Sequence, residues 1–218
     1  VVVVGIEKMT DMIGAEIEAY TAQSSDYDFE GMQGITPQGL AGLLMQRYLD
    51  EYQAPRESFA SFPIIARENA VNNPFAMLRE RLSLEDYLRA PLIYPPLLPA
   101  DVPTYADGAA ALVLVNQELV HDARKAVQVS ASEIATDTLA LHERADLLAF
   151  EAVRLSTERA LKKAKLMRDH VDLFELWDSP SIYAMLSLEA AGFAERGKGW
   201  QFATLENIAL SGCLPIAT

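Results

Sequence analysis

The sequence holds few of the residues that build disulfide and metal sites, with one cysteine and three histidines among 218 residues. A single cysteine excludes a disulfide within the chain and is typical of a reducing compartment, so we expect a cytoplasmic location. The histidines, His121, His142 and His170, share no metal-ligand spacing. We therefore predict no metal site, and solvent-exposed or capping roles for the three imidazoles.

Positive charge is also scarce, since 18 Lys and Arg residues face 31 Asp and Glu residues, for a net charge of −13. Binding to a nucleic-acid backbone needs a basic surface, so we expect no nucleic-acid partner. No apolar run approaches the roughly 18 residues of a membrane helix, which predicts no membrane span. The apolar start Val1–Val4 lacks the basic flank and cleavage site of a signal peptide. A start without Met, inside an apparent strand, predicts that upstream sequence is missing.

Half of the residues are hydrophobic, which is enough for a substantial core. The most informative stretch is residues 107–115, where Asp107-Gly108 predicts a tight turn and an unbroken apolar run follows. Such a run is typical of a strand that is covered on both faces, and a buried helix is the alternative. Val1–Val4 has the same character. We predict that these two segments lie side by side in one sheet.

Between these strands the pattern is mostly helical. Thr36 and Pro37 predict the start of one helix, Pro55 opens a second through Ala70 with a kink at Pro63, and Ser83 can cap a third. Residues 91–106 are too rich in proline for a helix or a central strand. We expect the apolar side chains of this region to form a small core of their own: Leu44, Met45, Tyr48, Phe59 and Phe62.

The second half predicts a plainer alternation of strands and helices. Val127–Ser130 and Phe174–Asp178 read as strands, and a helix begins at Pro180 and ends near Gly192. Residues 145–167 predict a long helix with a face of small side chains. Because small faces allow close packing, we expect this helix to be central.

Five short segments stand in an order that is typical of one enzyme family. They read VVGIEKM at 3–9, NAVNNPFA at 69–76, DGAAA at 107–111, LEAAGF at 188–193 and GCLP at 212–215. Together they resemble the thiolase superfamily, and most closely the thiolase-like acetyl-CoA acetyltransferases grouped with sterol-carrier-protein thiolases. Each segment alone is a weak signal, whereas five in family order are specific.

The resemblance implies part of a thiolase-like layered α/β fold with a mostly helical loop domain inserted. Residues 1–11 and 106–120 would belong to the N-terminal half, residues 12–105 to the loop domain that covers a coenzyme A tunnel, and residues 121–218 to the C-terminal half. The family's nucleophilic cysteine and its GHP histidine have no counterpart in this sequence. The resemblance therefore covers a middle portion of the family.

The function that the resemblance implies is acyl transfer on coenzyme A thioesters, in lipid metabolism. Coenzyme A or acyl-CoA would be a substrate, with no permanently bound cofactor, and the protein would act as a homodimer or in a complex with other subunits. A non-catalytic CoA-binding or scaffold subunit is the alternative. An unrelated α/β binding module is a third interpretation, which the ordered segments disfavour.

The candidate site residues are Trp177 and Asp178, which stand where the family has its H-D-x-F motif. Asp178 is kept, whereas Trp177 replaces the histidine, and indole offers one N–H donor and no useful proton exchange. We therefore expect altered or lost condensation chemistry, with packing as the alternative role of Trp177. Cys213 lies in the family's structural turn and is not expected to be a nucleophile.

A basic cluster near residues 159–168 has two interpretations. It could contact the phosphates of coenzyme A, or it could be a solvated face that complements a helix dipole. Its members are Arg159, Lys162, Lys163, Lys165 and Arg168.

Overall fold

The structure is a computed structural model, and it describes residues 1–102, 104–120, 122 and 126–216. Two strands and eight α-helices are found in these residues. The strands are β1 (Val2–Glu7) and β2 (Gly108–Val113). The helices are α1 (Gly14–Thr21), α2 (Pro37–Tyr52), α3 (Ser61–Ala70), α4 (Leu84–Arg89), α5 (Glu151–Ala164), α6 (Ser181–Ala190), α7 (Gly199–Phe202) and α8 (Leu205–Ile208). Within the described segments, no helix is long and apolar enough to cross a bilayer.

Strands β1 and β2 form one antiparallel two-stranded sheet, with Val2 opposite Val113 and Glu7 opposite Gly108. The predicted pairing of the two apolar segments is confirmed. The prediction that they are buried is wrong, because every residue of both strands is exposed. Asp107 does not form a tight turn before β2. Its carboxylate instead accepts hydrogen bonds from Thr10 N at 3.0 Å and Thr10 Oγ1 at 2.6 Å. These bonds connect the segment that follows β1 to the residue that precedes β2.

The predicted helix starts are confirmed where a cap residue was recognised. The Thr36 hydroxyl accepts a hydrogen bond from Gly39 N, and the Ser83 hydroxyl accepts one from Asp86 N. The predicted kink at Pro63 is wrong. A 3₁₀ turn at 56–59 precedes α3, so Pro63 falls in the first turn of α3, where a backbone N–H has no intrahelical partner.

One large core joins the two parts of the chain. The five apolar residues predicted for residues 12–105 are all buried, but they pack together with α6 and the C-terminal segment rather than forming a separate core. Helix α6 is the central helix, because seven of its ten residues are buried. The prediction that the helix of residues 145–167 is central is wrong. It forms as α5, whose residues are charged on one side and none of which is buried.

The second half contains less sheet than its sequence predicts. Residues 127–130 form no strand and are exposed, and Phe174 makes only an isolated parallel bridge to Ile216. β-Structure needs a partner strand, which a local apolar pattern cannot reveal. The sheet in the described residues therefore has fewer strands than the predicted layered fold requires. The helix predicted to end near Gly192 does so, and Gly192 has a φ of 81°, which favours glycine.

Candidate functional site

The turn that carries Trp177 and Asp178 separates two cavities, one of about 740 Å³ and one of about 380 Å³. Asp178 lines the larger cavity, and Trp177 lines the smaller one. The turn leads directly into α6, whose first residue, Ser181, also faces the larger cavity. Trp177 and Asp178, which stand at the H-D-x-F motif position, therefore line different cavities. Both volumes are in the range of small-molecule sites.

The larger cavity lies between α3, α4, the segment before β2, and the start of α6. Most of its wall is apolar, and it includes Phe62, Phe75, Met77, Leu78, Leu82 and Val102. Its polar wall contains three carboxyl groups and one cation, Arg67, which is already a donor to the Glu80 carbonyl at 3.4 Å. An elongated apolar group fits this lining better than a phosphate group does.

Asp178 differs from the other carboxyl groups of the larger cavity in its hydrogen bonding. Its side chain accepts no hydrogen bond from another side chain among the described residues. Burial raises the pKa of Asp178, and the negative charge of Glu175 raises it further. A carboxyl group of raised pKa beside an apolar cavity is a candidate acid or base.

Asp101 is the second carboxyl group of the larger cavity. Unlike Asp178, it accepts several hydrogen bonds from other residues. It is 1% exposed. It accepts hydrogen bonds from the Tyr87 hydroxyl at 2.9 Å, from Leu98 N at 2.8 Å and from the Ser181 hydroxyl at 2.5 Å. Burial raises its pKa, while these donors and the charge of Arg56 oppose the rise. Asp101 thus ties α4 and the segment before β2 to the start of α6.

Trp177 lies at the edge of the smaller cavity and is 72% exposed, so it is not a core residue. Its indole Nε1 donates to the carbonyl of Ser179 at 2.6 Å. Because indole has one donor, Trp177 has none left for a substrate oxygen in this arrangement. The effect of Trp177 on the chemistry stays a prediction.

The remaining wall of the smaller cavity comes from residues 24–30, α2, residues 139–150, α5 and α6. Its apolar part is Pro37, Leu40, Leu44, Leu139, Leu141, Phe150 and Val153. Its polar part includes Glu30, Arg144 and Tyr183. Glu30 is buried, and its two carboxylate oxygens accept backbone hydrogen bonds from Leu141 N at 2.8 Å and Asp26 N at 3.1 Å.

The other candidate residues lie outside both cavities. Cys213 is exposed, and its Sγ is 3.8 Å from the Asn207 carbonyl oxygen. His170 has the predicted capping role, since its Nδ1 accepts a hydrogen bond from Met167 N. His142 is exposed and lies 3.8 Å from Glu30, whereas His121 lies outside the described residues. No cluster of metal-ligating side chains is found in the described part of the chain.

The basic cluster favours the solvated interpretation. Lys163 pairs with Glu133 at 2.9 Å, and Arg168 Nε donates to the carbonyl of Ala191 at the end of α6. Arg159, Lys162 and Lys165 are exposed on α5 and just after it. This helix end does not line either cavity.

The family described as "Thiolase C-terminal domain-like" matches residues 133–218. An acetyl-CoA acetyltransferase of Methanothermobacter thermautotrophicus is 35% identical over 200 residues, which cover 91% of this chain and 52% of that protein. This chain is similar to thiolases over most of its length. Sterol carrier protein 2 of Oryctolagus cuniculus is 28% identical over 171 residues, 76% of this chain and 31% of that protein. The resemblance to thiolases and to their sterol-carrier-protein relatives is confirmed.

A solved structure supports the same fold for the thiolase-like chain. The structure titled "Ltp2-ChsH2(DUF35) aldolase" superposes with a TM-score of 0.83 at 24% sequence identity. The match covers 99% of this chain and 57% of that one. The chain spans about half the length of the archaeal acetyltransferase, 52%.

Reasoning from the sequence missed several polar residues of the cavities, among them Asp101, Arg144 and Tyr183. Asp101 stands in a proline-rich segment, Arg144 in a segment without a period, and Tyr183 beside the apolar stripe of α6. No local pattern distinguishes these residues, and Asp101 also depends on a partner that is distant in the chain. Asp101 is 80 residues from Ser181.

Proposed function

We propose that this chain is part of an acyl-CoA acyltransferase that binds coenzyme A thioesters and has altered or lost condensation chemistry. The proposal rests on the 35% identity to a protein named acetyl-CoA acetyltransferase. The observation that carries the altered chemistry is the Trp177 side chain, whose only N–H donates to the Ser179 carbonyl.

The larger cavity supports thioester binding in two ways. Its lining is mostly apolar, which suits an acyl chain or the pantetheine arm, and its volume of about 740 Å³ is in the range of ligand sites. Asp178 adds a carboxyl group that can accept or return a proton beside that wall. In this proposal residues 12–105 act as the lid over the coenzyme A tunnel.

The alternative function is a non-catalytic CoA-binding or scaffold subunit of an acyltransferase complex. The indole N–H of Trp177, which already donates to the Ser179 carbonyl, favours this alternative. A thioester oxygen would receive no hydrogen bond from this position. The exposed apolar sheet favours an assembled state for either function. Val2, Val4, Ile6 and Val113 are each more than half exposed in it. We propose a homodimer or a complex with other subunits, in the cytoplasm.

Isothermal titration with acetyl-CoA and with coenzyme A tests the binding part of the proposal. The protein should be used as its gene encodes it, together with any subunit that co-purifies. Binding of either ligand is expected. No detectable binding of either one at millimolar ligand would contradict the proposal.

Three versions of the protein test the role of Trp177: wild type, Trp177→His and Trp177→Phe. We expect weak condensation of acetyl-CoA in the wild type. Trp177→His should gain up to about 10²–10³ in rate, the usual effect of one oxyanion donor. Trp177→Phe keeps a ring without the N–H and should match the wild type. Ordinary thiolase rates in the wild type, with no gain in Trp177→His, would show that the reading of this position is wrong.

A further inference from the structure

The smaller cavity contains two hydrogen-bond donors that the proposed chemistry does not use. The hydroxyl of Tyr183 makes no hydrogen bond with any described residue, and it is not among the enclosed polar atoms of the described structure. The hydroxyl is therefore accessible, and Tyr183 is part of the cavity wall. The ring is fixed against Phe150, with 5.7 Å between ring centroids, so the hydroxyl has a defined position.

Arg144 supplies the second donor group. Its Nε donates to the Thr138 carbonyl at 2.9 Å, which orients the guanidinium plane. The two terminal nitrogens have no partner in the described part of the chain and are not enclosed. Arg144 and Tyr183 both line this one cavity. A guanidinium held by one nitrogen, with two others open, is suited to a carboxylate.

Among the described residues, the one carboxyl group in the same wall has both of its oxygens engaged in hydrogen bonds. Glu30 accepts two backbone N–H groups, and His142 lies 3.8 Å from one of its oxygens. Neither Glu30 oxygen is bonded to Arg144. The other members of the wall are mainly aliphatic or aromatic, and the cavity measures about 380 Å³. An apolar body that ends in an anionic oxygen group matches this lining.

We propose that the smaller cavity selects acyl groups that carry a terminal carboxylate, with Arg144 and Tyr183 as the residues that bind it. This inference rests on the proposed thioester-binding function and names its substrate class. Tyr183 would donate through its hydroxyl, and Arg144 through its terminal nitrogens. Trp177 would form the edge of the cavity without a hydrogen bond to the acyl group.

Succinyl-CoA and butyryl-CoA test the inference, because the two acyl groups have the same chain length and differ at the terminal carboxylate. Isothermal titration of the protein as its gene encodes it should show at least about tenfold tighter binding of succinyl-CoA. This is the size of one charge-assisted hydrogen bond. Arg144→Gln and, separately, Tyr183→Phe should reduce that preference while leaving butyryl-CoA binding within about twofold. Arg144→Lys should keep part of it.

Arg47→Gln is the matched control, since Arg47 is exposed on α2 and pairs with Glu51 away from the cavity. It should leave the preference unchanged. Equal binding of the two thioesters by wild type, or an equal loss of preference in Arg47→Gln, overturns the carboxylate inference and leaves the proposed function standing. Failure to bind either thioester overturns both.

Discussion

Removing the carboxyl group of Asp101 should destabilise the protein more than any exposed aspartate would. Three donors converge on this group from Tyr87, Leu98 and Ser181, and the group is 1% exposed. Asp101→Ala leaves all three donors without a partner. Each unpaired buried donor costs about 1–3 kcal/mol, while relief of one buried charge offsets part of the sum.

We therefore expect Asp101→Ala to lower the free energy of unfolding by about 3–5 kcal/mol. The corresponding fall in Tm is roughly 6–20 °C for a chain of this size. Asp101→Asn should cost only about 1–2 kcal/mol, because one orientation of the carboxamide can accept from Leu98 and Tyr87 while donating to Ser181. Urea unfolding followed by circular dichroism measures both differences.

The pH dependence gives an independent test of the same group. Burial raises the pKa of Asp101 in the folded state, so the folded protein binds this proton more tightly than the unfolded chain does. Asp101 therefore makes its full contribution to the free energy of unfolding below the pKa of the unfolded chain, about 3.9. This contribution is lost as the pH rises through the pKa of the folded state. The stability of wild type minus that of Asp101→Asn should therefore decrease as the pH rises above about 4.

The matched control is Asp50→Ala, on the exposed side of α2, where the carboxylate accepts a hydrogen bond from Gln46. Its cost should stay below about 0.5 kcal/mol. If Asp101→Ala costs less than 1 kcal/mol, or no more than Asp50→Ala, then Asp101 does not tie α4 to α6 in the way its hydrogen bonds indicate. A stability difference from Asp101→Asn that does not change with pH would contradict the raised pKa.

Two further predictions concern close contacts in the core. Gly212→Ala would put a Cβ 2.2 Å from the Asn207 carbonyl oxygen, so we expect a loss of about 1–3 kcal/mol in thermal unfolding, whereas Gly14→Ala, with nothing within 4 Å, should change little. Tyr48→Phe removes the 2.5 Å hydrogen bond to Glu189 and should cost about 1.5–3 kcal/mol in urea unfolding; a cost below about 0.5 kcal/mol would contradict the role of this contact.

Helix starts were predictable because their signals are local. Thr36 caps α2 with its own hydroxyl three residues before the amide that it binds, and Ser83 does the same for α4. Nothing else in the chain has to be known for such a contact. The pairing of β1 with β2 was also predictable, since both segments are apolar runs and the family resemblance puts them together.

Burial and the central helix were not predictable in the same way. The small-residue face of α5 suggested close packing, but its opposite face carries many charges, and none of its residues is buried. Helix α6 is apolar on most of its sides and is buried on most of them. A search for one apolar stripe therefore underestimates how much of this helix is buried. Val127–Ser130 has the composition of a strand without a partner, and in the described structure it is exposed coil.

The rotation of successive side chains around α6 explains why residues that are close in sequence line different cavities. A helix turns by about 100° per residue, so Ser181 and Tyr183 lie about 200° apart around α6, and Ser187 returns to within about 40° of Tyr183. Ser181 accordingly lines the larger cavity, whereas Tyr183 and Ser187 line the smaller one. The turn before α6 divides Trp177 and Asp178 between the same two spaces. Because Asp101 holds Ser181, and so the start of this helix, a change at Asp101 should alter ligand binding in both cavities. A change at Tyr183 should alter binding only in the smaller cavity.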